Sequence, residues 1–331
     1  MNDINSTHFP EPKPYSGKRD VPVVECIENK DGYFIRSQKS YDEADVELNQ
    51  YIKNCHIPDL KDHSDLTESE INEIEQRGVG PRPSTEDLNA FEDLIYANWE
   101  KRALVLDLYT PKKTKHLVPV ILVVHGGSWV SGSHRNYRNF AMKLAKKGYA
   151  TACVEYRLAG EAGFPAAIYD IKAATRWLRA NAVSYQIDPE KVCITGGSAG
   201  GKLACLAALT NGDSRYEGPS NHLEQSSDIQ CMMIMDGLVD GRVNGIWLND
   251  SKDAELINET TPYHHVVHRT KHFPIMLFIN DADKTHAWLK EHRKDAISQL
   301  VKTSLAHGYE LLDAERDTVI TWMYEFLKKH L

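Results

Sequence analysis

The sharpest chemical signal in the sequence is a serine set among glycines, in "GGSAGG" at residues 196–201. Residues 196–200 fit the pattern G-x-S-x-G, follow the apolar run "KVCIT" and precede the helix-forming run "KLACLAAL". A serine on a sharp strand-to-helix turn has a strained backbone, and only glycines two residues before and after it leave room for that turn. The N-terminus of the following helix favours negative charge near the serine. The pattern therefore predicts that Ser198 is a nucleophile.

A second glycine pair, in "VVHGGSWVSG" at residues 123–132, directly follows an apolar strand. Taken alone, these glycines form either a tight turn or a cradle whose backbone N–H groups hold an anion. An acyl-transfer site needs such donors for its oxyanion, from the residue after the nucleophile and from a loop after an early strand. This predicts an oxyanion hole made by the N–H groups of Gly127, Ser128 and Ala199. His125 is interpreted as a structural hydrogen-bonding residue and not as the base.

The segments around these motifs alternate between strand and helix patterns from about residue 92 onward. Continuous apolar runs of strand length, as expected of strands covered on both faces, lie at 118–124, 150–156, 191–195, 229–236 and 273–279. The segment "ALVLDLY" (103–109) alternates with a period of two, which predicts an early, half-buried strand. Residues 136–150 and 164–182 carry apolar side chains at helical spacing. This order predicts an α/β fold with a mainly parallel central sheet and helices on both faces.

The bulk composition favours chemistry on neutral small molecules. The 331 residues carry a formal net charge of −8 and their basic residues form no patch, so neither a nucleic-acid partner nor a membrane partner is expected. The opening residues lack an apolar signal region, which predicts a cytoplasmic location, although removal of a signal peptide would leave the same pattern. The six cysteines show no CxxC spacing and are interpreted as small buried thiols. A homodimer is compatible with these features.

Residues 1–90 differ from the rest of the chain because they are polar, rich in prolines and acids, and poor in apolar runs. We interpret them as an N-terminal accessory, cap-like segment of short helices and loops, followed by a catalytic domain over residues 91–331. Within this segment "LTESEINEIEQRG" (66–78) predicts a helix that begins with a capping box formed by Thr67 and Glu70. For the first 20 residues a partly disordered tail is the alternative.

The pairing of "HGGSW" with "GGSAGG", joined by "VEYRLAGEAGFPAAIYDIKAATRWLRANA", resembles one branch of the α/β-hydrolases. This is the hormone-sensitive-lipase-like branch, and especially its bacterial carboxylesterases that are similar to acetylxylan and feruloyl esterases. The resemblance runs from about residue 94 to the C-terminus, and residues 155–158, 165–167 and Asp170 match structural positions of the family. It implies an α/β-hydrolase fold and a serine esterase for short acyl groups on a carbohydrate or small alcohol. It implies no metal or organic cofactor.

A base and an orienting acid must accompany Ser198, and in this fold they follow it in the order Asp or Glu, then His. The segment "LFINDADKTHAW" (277–288) offers Asp281 and Asp283, and "SLAHGYELL" (304–312) offers His307. The resemblance implies that Asp283 is the acid and that His307 is the base. His286 is the second choice for the base.

The sequence departs from the family pattern at two places. Only 24 residues separate Asp283 from His307, so that either the last strand is "LVKTS" with almost no turn before it or this edge of the sheet is rebuilt. Ser128 stands where the family has a third glycine, which costs free energy only if this residue needs a positive φ.

Two other groups of residues carry weaker signals. In "PYHHVVHRTKH" (262–272) the spacing of His264, His268 and His272 would put three imidazoles on one helical face as zinc ligands, with His265 beside them. No glutamate completes an HExxH pattern, so a polar loop is the preferred interpretation. Paired carboxylates for glycoside cleavage are available at Asp236 and Asp240, but the serine motif makes them unnecessary.

The function predicted from the sequence is a serine carboxylesterase acting through an acyl-enzyme, on a small-molecule or carbohydrate ester. Two alternatives stay open: a catalytically impaired α/β-hydrolase fold used for binding, and a serine peptidase of the same fold. Trp129, Tyr137 and Trp247 are candidates to line the substrate pocket, with packing in the core or at its rim as the alternative.

Overall fold

A computed structural model describes residues 9, 11–17, 19, 21–54, 82–235, 237, 245–262, 264–265, 273–279, 299–302, 311 and 313–331. The statements below refer to these residues. The predicted helix at 66–78 lies outside them. Among the helices of this part of the chain, none combines the length and the hydropathy that a membrane crossing requires.

Ten strands of the described chain form a single sheet. They are β1 (Cys26–Glu28), β2 (Phe34–Arg36), β3 (Leu88–Trp99), β4 (Arg102–Pro111), β5 (Val118–Val124), β6 (Ala150–Val154), β7 (Ile187–Gly197), β8 (Cys231–Met235), β9 (Ile275–Ile279) and β10 (Gln299–Lys302). The order across the sheet is β1-β2-β4-β6-β5-β7-β8-β9-β10, with β3 pairing to β4. From β6 to β10 neighbouring strands run parallel, whereas β4 is antiparallel to β6.

Six α-helices of the described chain accompany the sheet: α1 (Gln38–Asn54), α2 (Arg138–Ala145), α3 (Ala166–Ala180), α4 (Ala199–Leu209), α5 (Ala254–Glu259) and α6 (Asp313–His330). Short 3₁₀ turns lie at His134–Tyr137 and Ser214–Tyr216. The five apolar runs predicted as buried strands correspond to β5 to β9, and the two helical patterns correspond to α2 and α3. The predicted α/β architecture with a mainly parallel sheet is therefore confirmed.

The core has two halves, one on each face of the sheet, because successive side chains of a strand point to opposite faces. In β5, for example, Leu122 packs into one half and Val123 into the other. The first half is covered by α3 and α4, and the second by α2 and α6. Burial on both faces explains why the central strands read as continuous apolar runs.

The prediction that 103–109 is a half-buried strand is wrong, since every residue of that segment is buried. Leu104, Leu106 and Leu108 face the first half of the core, as the alternation predicts. The other face carries Asp107, whose polarity suggested solvent but whose carboxylate is buried against charged side chains. A buried ion pair and a solvent-facing polar residue give the same alternation in a sequence.

Residues from the N-terminal segment pack onto the rest of the chain. Its strands β1 and β2 extend the same sheet by way of β4, and the Tyr15 N–H donates to the Ala159 carbonyl at 2.8 Å. The ring of Phe9 lies edge-on to Phe164, with centroids 4.9 Å apart. The division proposed at residue 90 falls inside β3, which begins at Leu88. The assignment of residues 1–90 as a separate accessory unit stays a prediction.

The last strand, β10, is only four residues long. Its position agrees with the sequence-based alternative in which "LVKTS" forms the last strand. Strand β10 pairs in parallel with β9 and overlaps the predicted "LVKTS" segment. It therefore fits between Asp283 and His307 despite their narrow spacing.

Five of the six cysteines belong to the described residues, and each has a free thiol. Cys26 is half-buried. The other four are buried, as predicted: Cys153, Cys193, Cys205 and Cys231. Cys55 lies outside the described residues.

Candidate active site

Ser198 lies at the turn between β7 and α4, in the strained backbone conformation that the glycine pattern predicted. Its φ is 54° and its ψ is −124°, a region that costs non-glycine residues about 1–3 kcal/mol. A Cβ added to Gly196 would lie 2.6 Å from the Gly200 carbonyl oxygen, and one added to Gly200 would lie 2.2 Å from the Val124 oxygen. Both glycines are therefore required by the close approach of backbone to backbone.

The glycine loop after β5 is a tight turn with an unusual run of positive φ angles. Gly127, Ser128 and Trp129 have φ values of 111°, 52° and 64°. The turn is closed by the Gly127 carbonyl, which accepts hydrogen bonds from the N–H groups of Val130 and Ser131, both at 3.0 Å. Ser128 thus does occupy a conformation that glycine adopts at lower cost.

The two motifs meet at the carboxyl ends of neighbouring parallel strands, where Val124 of β5 pairs with Gly196 of β7. A Cβ placed on Gly126 would lie 3.4 Å from Ser198 Cβ, so the loop passes directly beside the serine. The amides of Gly127 and Ser128 form no hydrogen bond to any other group in the described part of the chain. The segment is thus both a tight turn and a loop beside Ser198 whose donors at Gly127 and Ser128 have no acceptor in the described part of the chain.

His125 is held as a structural residue. Its Nδ1 lies 2.7 Å from the Gly126 carbonyl oxygen and its ring stacks on Tyr156 at a centroid distance of 4.2 Å. The Tyr156 hydroxyl donates to the His125 carbonyl at 3.0 Å. Burial lowers the pKa of His125 to about 3, and its Nε2 is buried without a partner among the described residues. These contacts agree with the interpretation of His125 as a structural residue.

The remaining members of the predicted triad, Asp283 and His307, lie outside the described residues, and so do the second choices Asp281 and His286. Their roles stay predictions. Asp236, Asp240, His268 and His272, the other weaker candidates, also lie outside. His265 is described, and its Nε2 lies 3.2 Å from the Tyr216 hydroxyl.

The three aromatic residues considered for the pocket are all buried. Trp129 and Trp247 stack on each other with centroids 5.4 Å apart and planes 4° apart, and they belong to the half of the core next to the serine. Tyr137 packs in the other half, across the sheet. Tyr137 and the serine turn lie on opposite faces of the sheet. Which face a residue packs against depends on where its segment lies in the fold, and the sequence position of Tyr137 does not show this.

Sequence reasoning missed Lys202, which lies four residues after Ser198 and is completely buried. Its Nζ is 5.6 Å from the ring centroid of Trp129 and 5.9 Å from that of Trp247. A lysine inside the otherwise small and apolar helix "AGGKLACLAAL" was the available signal.

Three side chains outside the glycine loop have ligand atoms at the spacing of a metal site. Single ligand atoms of Asp93, Asp107 and His134 lie within 4.8 Å of one another. Arg138 donates from Nε to Asp107, and Arg135 Nη2 lies 3.3 Å from Asp93. Because guanidinium groups already neutralise both carboxylates, the donor set fits an ion-pair network better than a cation site.

This network predicts a pH-dependent stability. Burial opposes the charged form of His134, but hydrogen bonds to Asp107 and Asp93 overcome it and raise the pKa of His134 above its usual value. A raised folded pKa adds stability that is complete below the unfolded pKa of about 6.5 and is lost as pH rises through the folded pKa. We expect His134→Gln to lower Tm more at about pH 6 than at about pH 9. A destabilisation that is equal at both pH values would contradict this.

The conformation of Ser128 leads to a second prediction. Ser128→Gly should leave kcat/KM within about twofold of the wild-type value, because the residue would act through its backbone N–H alone. Tm should stay equal or rise, since relief of about 1 kcal/mol of left-handed strain offsets the larger unfolded-state entropy of glycine. As a control, Ser128→Val places a β-branched residue at positive φ and should lower Tm. Loss of activity in Ser128→Gly would mean that the hydroxyl itself is used.

The strained serine turn and the facing glycine loop, at the carboxyl edge of a mainly parallel sheet, define the chain as an α/β-hydrolase. The profile of the BD-FAE family matches residues 106–286, more than half of the chain. The chain belongs to the BD-FAE family.

A curated relative and two solved structures agree with this class. Esterase LipC of Mycobacterium tuberculosis is 28% identical over 228 residues, which cover 60% of this chain and 55% of LipC. A solved structure of Thermogutta terrifontis esterase Est2 with bound propionate aligns with a TM-score of 0.62 at 22% identity, covering 75% of this chain and 96% of Est2. A bifunctional GH43-CE protein of Bacteroides eggerthii aligns with a TM-score of 0.63 at 22% identity, covering 72% of this chain and 35% of that one. At this identity the two structures show the fold alone.

The matched segments span only part of the curated relatives. LipM, LipC and LipQ of Mycobacterium tuberculosis are covered over 23%, 55% and 23% of their lengths.

Proposed function

We propose that this protein is a serine carboxylesterase that hydrolyses short-chain acyl esters through an acyl-enzyme. The observation that carries the proposal is the position of Ser198, strained at the end of β7 and beside a loop whose amides at Gly127 and Ser128 have no partner among the described residues. A nucleophile next to free backbone donors is the arrangement that stabilises a tetrahedral oxyanion.

In the proposed mechanism His307 removes the Ser198 proton as the hydroxyl attacks the ester carbonyl, and Asp283 holds the imidazole in the required tautomer. The N–H groups of Gly127, Ser128 and Ala199 donate to the oxyanion. Collapse of the tetrahedral intermediate expels the alcohol, which takes its proton from His307, and leaves an acyl-Ser198 ester. Water then attacks this ester with His307 again as base, releasing the acid and restoring the serine.

The chain geometry supports Asp283 and His307 in these roles. Asp283 comes four residues after the end of β9 and His307 five residues after the end of β10. Both strands are parallel to β7, so their carboxyl ends lie at the edge where Ser198 lies. Strand β10 is the third strand from β7, about 14 Å away at ~4.8 Å per strand. Five extended residues span up to about 17 Å, so the short connection allows His307 to reach the serine.

Two solved structures of the same fold bear on the substrate class. A propionate-bound esterase of the same fold supports short acyl groups, and a solved carbohydrate esterase from gut microbiota with the same fold supports a carbohydrate ester. We propose acetyl groups, or feruloyl groups, on carbohydrate as the substrates. The preference for particular acyl and alcohol groups is set by the loops around the site and not by the serine turn.

The experiment combines a fluorophosphonate probe with p-nitrophenyl acetate turnover. The wild-type protein should be labelled at Ser198 and should release p-nitrophenol with an initial burst when deacylation limits the rate. No labelling and no turnover would favour the alternative of a binding protein built on this fold. Cleavage of aminoacyl amides, with esters hydrolysed only incidentally, would favour the peptidase alternative. Acyl preference follows from comparing acetyl, butyryl, octanoyl and feruloyl esters.

The base is tested by a matched pair of histidine variants. His307→Ala should lower kcat by about 10³-fold or more, because the serine then lacks a general base. His286→Ala should keep kcat close to the wild-type value. The opposite result would assign the base to His286 while leaving the esterase proposal intact.

A further inference from the structure

Lys202 is a buried lysine on the helix that follows Ser198. It lies on the first turn of α4, where its N–H donates to the Ser198 carbonyl at 3.1 Å. Its side chain is completely buried, and the ammonium lies within 6 Å of the ring centroids of Trp129 and Trp247. That distance is within the range of a cation–π interaction, which is stronger for a desolvated cation than for an exposed one.

Trp129 is the residue through which this contact reaches the loop. It directly follows Ser128, and both residues hold positive φ angles that a non-glycine residue adopts only when its surroundings enforce them. Two contacts hold Trp129 in place besides the lysine: its carbonyl accepts from the Ala159 N–H at 2.8 Å, and its ring stacks on Trp247.

The two indole rings are held by packing and not by their own hydrogen bonds. The Nε1 atoms of Trp129 and Trp247 are buried and have no partner among the described residues. Trp247 is itself anchored through its carbonyl, which accepts from the Phe164 N–H at 2.9 Å. Lys202 takes part in a further interaction besides these, and its ammonium is a charged group placed against both rings.

We propose that Lys202 is a positioning residue for the oxyanion hole. Its ammonium, set against Trp129 and Trp247, fixes the strained Gly127–Trp129 turn so that the amides of Gly127 and Ser128 face Ser198. Ala199, the third proposed donor, begins the helix that carries Lys202. The Lys202 side chain therefore fixes the positions of the Gly127 and Ser128 amides relative to the Ala199 amide. This inference rests on the proposed function.

The chain offers a matched control in Lys172, a second completely buried lysine. Its Nζ donates to the Thr210 carbonyl at 3.0 Å and lies 3.2 Å from Glu217. Thr210 follows the last residue of α4, at the end of the helix opposite to Ser198. Loss of either lysine should cost stability, but only Lys202 should affect the oxyanion donors.

The test compares Lys202→Met, Lys202→Arg and Lys172→Met, with active sites titrated by a fluorophosphonate. Lys202→Met should lower kcat per titrated site about 10- to 100-fold with KM nearly unchanged, since misplaced donors cost transition-state stabilisation. The rate constant of phosphonylation, which builds a tetrahedral adduct in the same hole, should fall in parallel. Lys202→Arg should recover most of both rates. Lys172→Met should lower Tm and leave kcat per titrated site unchanged.

A Lys202→Met protein with kcat per titrated site within about twofold of wild type would overturn the inference. So would a Lys202→Arg protein as slow as Lys202→Met, because charge would then not matter. If Lys202→Met does not fold, Trp247→Leu removes the ring pair and should give the same selective loss of kcat, while an unchanged kcat would overturn the inference. Failure of the wild-type protein to be labelled or to hydrolyse esters would count against the proposed function instead.

Discussion

Ser198→Ala is expected to lower kcat/KM for p-nitrophenyl acetate by about 10⁴-fold or more and to abolish fluorophosphonate labelling. In the proposed mechanism the variant loses the hydroxyl that forms the acyl-enzyme, whereas the proposed oxyanion donors stay in place. Residual turnover above the uncatalysed rate should therefore persist, because bound ester is still polarised by the amides of Gly127 and Ser128. Rates are measured with protein concentrations fixed by absorbance, since the variant cannot be titrated.

The fold should survive this change. Alanine keeps the Cβ that Ser198 already accommodates at its φ of 54°, so Tm should stay close to the wild-type value. Ser214→Ala, at an exposed serine outside the site, is the control and should keep both labelling and turnover. Ester hydrolysis retained in Ser198→Ala would mean that another group is the nucleophile.

Gly200→Ala is expected to destabilise the protein by at least about 3 kcal/mol, or to prevent folding. The new Cβ would lie 2.2 Å from the Val124 oxygen and 2.4 Å from the His125 oxygen, and backbone on both sides leaves no flexible atom to move away. Relief requires α4 to shift from the end of β5, which also separates Ala199 from the glycine loop. Any folded fraction should therefore show a lower kcat per titrated site.

Gly212→Ala separates this clash from the general cost of replacing a glycine. Gly212 has a φ of 76° but has nothing within 4 Å of an added Cβ, so its replacement should cost only about 1 kcal/mol. Urea unfolding of both variants gives the comparison. Equal destabilisation by the two substitutions would show that the contact at Gly200 is not the constraint on the turn.

The order of elements and the serine turn were predictable from sequence because both depend on local patterns. Continuous apolar runs mark strands buried on both faces, and the glycines around Ser198 mark a turn that no other residue type permits. The same local logic predicted the glycine loop, and the structure adds that Ser128 shares its positive φ.

Burial and contacts between distant residues were decided by the tertiary structure. The sequence pattern could not show that Asp107 is buried in an ion-pair network, that Tyr137 lies across the sheet, or that β1 and β2 join the central sheet. These facts depend on which elements become neighbours, and pairings between residues far apart in sequence leave no periodic signal.

Lys202 shows the difference most clearly. By itself, the sequence determined a strained serine turn, a glycine loop and the fold that brings them to one edge of a sheet. Only the tertiary structure placed the Lys202 ammonium against Trp129 and Trp247, because that contact joins residues from three separate segments. The physical reason is that a helix-forming lysine looks the same in a sequence whether its charge meets water or two buried indole rings.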